Sequence, residues 1–177
     1  MTTPKQRYYD DLSREGFVAD NAQKQAVDHL ESLYHRLVAK HHKQQEISLF
    51  DRIKGLVVDP KVTPERGLYL WGGVGRGKTY LMDSFYESLP FDAKMRIHFH
   101  RFMRRVHADL RLYNGHANPL ERVAEKISSE TNIICFDEFF VSDITDAMIL
   151  GTLFEALFTR GVSLVATSNI QPSGLYK

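Results

Sequence analysis

The stretch Gly67-Leu-Tyr-Leu-Trp-Gly-Gly-Val-Gly-Arg-Gly-Lys-Thr79 decides the fold. Leu68–Trp71 is a short apolar run that predicts a β-strand. Gly72-Gly73-Val74-Gly75-Arg76-Gly77-Lys78-Thr79 then meets the pattern G-x-x-x-x-G-K-S/T at every fixed position. A helix is expected to follow and to end near Pro90. Strand, glycine loop and helix, in that order, form the context in which this pattern holds phosphate. The glycines let successive backbone N–H groups turn inward around an anion, and the helix N-terminus adds partial positive charge. Lys78 is expected to reach the β- and γ-phosphates of a nucleotide, and the Thr79 hydroxyl to ligate Mg²⁺.

Downstream, strands and helices alternate. Met95–Phe99 predicts a second strand, followed by a helix carrying Phe102, Val106, Leu110 and Tyr113. Asn118, Pro119 and Glu121 supply an N-cap, an N1 proline and a capping-box partner for the next helix. Ile133–Phe136 reads as a third strand. A helix from near Asp143 to Arg160 stops at Gly161, and Ser163–Thr167 is a fourth strand. This alternation predicts an α/β fold, a parallel sheet sandwiched between helices. Upstream, residues 1–19 read as a polar arm with Tyr8, Tyr9 and Phe17 as contacts. Asp20 and Gln23 pair as N-cap and N3 of a helix over about 20–41, with Ala22, Ala26, Leu30, Leu33 and Leu37 on one face. His41-His42 sits between lysines in an expected loop. Ile47, Phe50, Ile53 and Lys54 suggest a short amphipathic helix, and Pro60 and Pro64 bracket a connector. The chain divides into an N-terminal arm, helix and connector (1–66) and a nucleotide-binding core (67–177).

The third strand, Ile133-Ile134-Cys135-Phe136, ends in Asp137-Glu138. A parallel strand buried on both faces reads as a continuous apolar run, and ligand chemistry sits at its C-terminal edge. Asp137 is positioned by that pattern to hold Mg²⁺ through water. Glu138, one residue on and aimed elsewhere, is the candidate general base for the attacking water. Asn169 lies just past the fourth strand, where an amide can bond both the γ-phosphate and that water. The alternative for Asn169 is a turn residue ahead of Pro172. No N-K-x-D is present to read guanine and no D-x-x-G follows the loop, which disfavours a GTPase. A small-molecule phosphotransferase stays open, although an Asp-Glu pair supplies a base for water that a kinase avoids.

Bulk properties exclude other classes. Among 177 residues, Lys+Arg number 23 and Asp+Glu 22, a formal charge of +1 that gives no strong nucleic-acid signal. Hydrophobic residues at 43% and charged residues at 25% match globular usage. Cys135, the single cysteine, cannot form an internal disulfide and reads as a small core hydrophobe. No apolar run approaches a bilayer span and no signal peptide opens the chain, so a cytoplasmic protein with at most peripheral membrane contact is expected. His98 and His100 share one face of the second strand in this reading, as core or supporting histidines. Arg101, Arg104, Arg105 and Arg111 read as a solvated helix face, and Arg160 as a cation favoured by its helix dipole rather than one reaching a neighbouring subunit's nucleotide.

Gly67–Thr79, His98-Phe-His-Arg-Phe-Met103, Cys135-Phe-Asp-Glu-Phe-Phe-Val-Ser-Asp-Ile-Thr-Asp-Ala-Met148 and Leu164-Val-Ala-Thr-Ser-Asn169 together resemble the AAA+ ATPase family of the bacterial cell-division protein ZapE and its mitochondrial, lactation-elevated-type relatives. The match is dense over 66–177 and looser before that. The resemblance implies ATP/ADP and Mg²⁺ as ligands. It implies that Lys78, Asp137, Glu138 and Asn169 are loop lysine, metal aspartate, hydrolytic glutamate and sensor. As partner it implies the tubulin-like FtsZ or another division-ring protein, with recruitment to the septum and a homo-oligomer in the full-length protein. Adenine in such ATPases usually lies near the segment ahead of the first strand, which makes Asp20–Gln23 a candidate beside its capping role. Family members continue into a fifth strand, an arginine finger, a second sensor and a helical lid, none of them in this sequence. That implies an N-terminal fragment whose turnover is lower by roughly three to five orders of magnitude if the arginine acts as in related sites. A helicase-loader-type AAA+ ATPase and an ATP-gated adaptor with little turnover are the alternatives.

Overall fold

The computed structural model describes residues 2–14, 20–54 and 63–175, with residues 47–54 described by their backbone alone. Phe17, Pro60 and the side chains of Ile47, Phe50, Ile53 and Lys54 therefore lie outside the described set. In chain order the elements are α1 (Pro4–Leu12), α2 (Asn21–Lys54), β1 (Leu68–Trp71), α3 (Lys78–Ser88) and β2 (Lys94–His98). There follow α4 (Phe99–Leu112), α5 (Pro119–Glu130), β3 (Ile133–Asp137), α6 (Ile144–Thr159), β4 (Ser163–Ser168) and a 3₁₀ turn at Pro172–Gly174.

The four strands form one parallel sheet in the order β1-β4-β3-β2. Period-two alternation divides its side chains between two cores. Ile134 and Phe136 of β3 and Ala166 of β4 join Phe99, Phe102 and Val106 of α4, with α5 and α6, on one face. Ile133, Cys135 and Val165 face the other way, onto Leu30 and Leu33 of α2 and Met82 and Phe85 of α3. All five β3 residues are buried, as a central parallel strand requires. The helices ahead of residue 67 share this second core.

Four local features differ from the sequence expectations. First, α1 is a nine-residue helix where an arm is expected. It opens with a capping box in which Thr3 Oγ1 accepts from the Gln6 N–H at 3.3 Å and Gln6 Oε1 accepts from the Thr3 N–H at 3.0 Å. Tyr8 is fully buried, and the Tyr80 hydroxyl donates to Asp11 at 2.5 Å, tying α1 to α3. Second, α2 runs without a break to Lys54, so His41-His42 is helical and the His41 ring packs 4.9 Å from that of Phe91, tilted by 30°. Third, β2 ends at His98 and His100 belongs to α4. The two rings still lie 5.9 Å apart, across a strand–helix joint and not along one strand face. Fourth, Asn118 takes a left-handed conformation (φ 54) and its side chain caps nothing. Glu121 closes no capping box and pairs instead with Arg160 at 2.6 Å.

Other ends follow the sequence closely. Asp143 caps α6 through the N–H groups of Thr145 and Asp146. Gly161 (φ 79) ends it in a Schellman turn, its N–H on Phe158 and that of Val162 on Leu157. Arg160 donates to the Ala156 carbonyl at 3.0 Å, in the last turn, where a cation answers the helix dipole.

Gly67 is fixed by a close backbone approach just ahead of β1. A Cβ there would lie 1.7 Å from the Leu164 carbonyl oxygen, one residue ahead of the β1–β4 ladder. Gly67→Ala is expected to destabilise by about 3 kcal/mol or more, the upper end of overpacking, because the obstacle is backbone. Urea unfolding with the slope unchanged and the midpoint lowered is the expected readout.

Candidate functional site

Because all four strands are parallel, their C-terminal ends lie along one edge of the sheet. The glycine loop leaves β1, Asn169 leaves the adjacent β4, and Asp137-Glu138 ends β3 beyond it. Three segments far apart in sequence thereby become neighbours, at the edge where open α/β sheets bind ligands.

The loop closes onto the start of α3. Gly77 caps that helix at φ 77, a left-handed backbone that favours glycine, and a Cβ there would have to displace the end of the Gln23 side chain, 2.7 Å away. The Lys78 ammonium lies across the loop and donates to the Gly72 carbonyl at 2.8 Å and to that of Gly73 at 2.7 Å. Partial burial, then the neighbouring Arg76 charge, pull its pKa below the usual lysine value. Val74, Gly75 and Arg76 form the exposed crown of the loop, and Thr79 is exposed at the second position of α3.

Asp20 caps α2, and both Asp20 and Gln23 reach the glycine loop. Asp20 Oδ1 accepts from the Ala22 N–H at 2.8 Å, while its Oδ2 pairs with Arg76 at 3.2 Å. Gln23 forms no capping box. Its Nε2 donates to the Arg76 carbonyl at 3.1 Å, and its Oε1 is buried with no hydrogen-bond partner. The start of α2 therefore grips the glycine loop across more than fifty residues of sequence.

At the end of β3 the two carboxylates part company. Asp137 is buried (6% exposed) and accepts from Arg96 Nε at 2.9 Å through Oδ2, while Oδ1 is buried without a partner. Glu138 is exposed and left-handed, at φ 54. That kink is held by β4: the Glu138 N–H donates to Thr167 Oγ1 at 3.3 Å and the Phe139 N–H to the Thr167 carbonyl at 2.7 Å. The Ser168 hydroxyl closes the turn on the Phe139 carbonyl at 2.7 Å. Glu138 and Asn169 then line one cleft of about 660 Å³ with His100, Arg104 and Phe140.

A magnesium ion suits these residues. Asp137 presents one unsatisfied oxygen and Thr79 an exposed hydroxyl, an all-oxygen donor set of the kind this hard cation takes alongside water and phosphate. Cys135 is closed to chemistry, since burial pushes its thiol up to about 12. Arg96 belongs to none of the sequence motifs. Its one signal is a lone arginine between the apolar Met95 and Ile97, on the strand beside the acidic one.

The sequence profile of the AFG1-like ATPase family matches residues 2–177. The chain is 52% identical over 179 residues to the Cell division protein ZapE of Escherichia coli K12, covering 99% of this chain and 48% of that protein. It is 46% identical over 132 residues to Lactation elevated protein 1 homolog B of Danio rerio, covering 66% of this chain and 25% of that one. This chain thus spans about half the length, or less, of these curated relatives. Among solved structures, AMPPCP-bound DnaA from Aquifex aeolicus superposes with a TM-score of 0.59 at 12% identity, over 98% of this chain and 43% of that one. At that identity the likeness is one of fold alone, a parallel α/β sheet flanked by helices.

Proposed function

The chain belongs to the AFG1-like ATPase family, and from that membership we propose that it binds ATP with Mg²⁺ at the C-terminal edge of its sheet and hydrolyses it. The observation that carries the reading is the pairing of a helix-capping glycine loop, crossed by the Lys78 ammonium, with a buried carboxylate that keeps one oxygen unsatisfied. The N–H groups of Gly72–Thr79 and the N-terminus of α3 cradle the phosphates. Lys78 shifts from its own loop carbonyls to the β- and γ-oxygens. Asp137 and Thr79 would hold the metal, which when bound would supply positive charge to offset that of the transferred phosphoryl group. Glu138, outside the strand and next to the cleft, takes the proton of the attacking water. Asn169 orients that water against the γ-phosphate.

The client we propose is a division-ring polymer, FtsZ foremost, reached by cytoplasmic protein recruited to the septum and working as a homo-oligomer. Its support is the 52% identity to a protein named for cell division. Among the described residues no helix is long and apolar enough to cross a membrane. The test is co-sedimentation with polymerised FtsZ in ATP, in ADP and without nucleotide, alongside phosphate release. Pelleting that requires ATP is the expected result. No pelleting by these residues in any nucleotide state calls for the same assay with a chain of the ZapE relative's full length, and a second negative there sinks the division reading while leaving the ATP site to its own binding assays. Salt-sensitive capture of single-stranded DNA instead would move the client to nucleic acid.

A further inference from the structure

Arg96 joins the two halves of the site. It lies on β2, with Met95 and Ile97 turned toward the α4 core, so its side chain faces α3. On β3 the same face carries Ile133, Cys135 and, by the same alternation, Asp137. Arg96 pairs through Nε with Asp137 Oδ2 at 2.9 Å and through Nη1 with Asp83 of α3. Asp83 stands five residues beyond Lys78 on the helix that the phosphate loop opens. One planar guanidinium thus spans the acidic strand and the phosphate-loop helix, which a single ammonium has no fork to do.

This arrangement also decides which oxygen of Asp137 is left over. Oδ2 is held by the guanidinium, so Oδ1 alone stays unsatisfied in a buried place. We propose that Arg96 is a positioning residue for the magnesium-bound nucleotide, fixing Asp137 relative to the loop helix through Asp83; this rests on the ATP-site reading above. Arg96 touches neither nucleotide nor metal in this role. It sets where the carboxylate that serves the metal stands.

The experiment compares Arg96→Lys, Asp83→Asn and wild type by binding of a fluorescent ATP analogue, first in EDTA and then with rising Mg²⁺, with melting curves in parallel. Arg96→Lys is expected to raise the Mg²⁺ needed for half-maximal enhancement by roughly 10- to 100-fold, the range for residues that orient metal ligands. Its nucleotide affinity in EDTA should match wild type. Asp83→Asn should move the same way by less, and because its carboxylate is half-exposed it carries the test should Arg96→Lys fail to fold. An unchanged Mg²⁺ requirement in the folded variants overturns the proposal, as does an equal loss with and without metal. Wild-type protein that binds no nucleotide would take the ATP-site reading down first, and this one with it.

Discussion

Glu138→Gln is expected to keep ATP binding and to lose turnover by about two to four orders of magnitude, the usual contribution of a positioned general base. The amide has nearly the same shape and an identical backbone. The N–H that Thr167 Oγ1 accepts is retained, and so is the turn closed by Ser168 on Phe139. What is lost is an oxygen able to take a proton. Nucleotide affinity measured beside steady-state phosphate release separates the two. A glutamine variant with wild-type turnover would remove Glu138 from the chemistry. The backbone supplies a second arm to this test. A non-glycine residue at φ 54 carries a cost of about 1–2 kcal/mol. Glu138→Gly should therefore fold at least as stably as wild type and yet be inactive, which a merely structural glutamate at this position would not predict.

The strand–glycine loop–helix unit, the acidic strand and the four-strand sheet are readable in the sequence because each rests on a local signal. The loop has a fixed spacing, and β3 is an apolar run ended by charge. The structure departs from the sequence pattern where the deciding partner is distant, or where a polar run carries no apolar stripe. Residues 41–46, His-His-Lys-Gln-Gln-Glu, offer no apolar stripe and so read as a loop. Lysine, glutamine and glutamate are nonetheless good helix formers, and α2 continues through them. Gln23 fits a capping box by position, but the Arg76 carbonyl lies within 3.1 Å once β1 is in place. Glu121 likewise answers Arg160 rather than its own helix start. Arg96 shows the same limit from the other side. Its own strand offers only a lone charge between Met95 and Ile97, whose meaning appears when β2 is set beside β3 and against α3.

Lys78→Ala is expected to abolish ATP binding while sparing the fold. In the structure its ammonium spends its hydrogen bonds on Gly72 and Gly73 of the same loop and on no core group. Removing it frees two carbonyls that solvent can reach, and alanine at the first position of α3 suits a helix. The unliganded variant should thus melt near wild type. With ATP at about a hundredfold over its dissociation constant, wild type should gain about 2.7 kcal/mol of stability, and the variant none. Arginine is no substitute. Its guanidinium is broader than the ammonium that the two carbonyls now enclose, so Lys78→Arg should fail as well. If Lys78→Ala kept its ATP-induced shift, the loop N–H groups and the α3 terminus would be holding the phosphates unaided. The positive charge at residue 78 would then belong to the transition state alone, and the loss would appear in turnover and not in affinity.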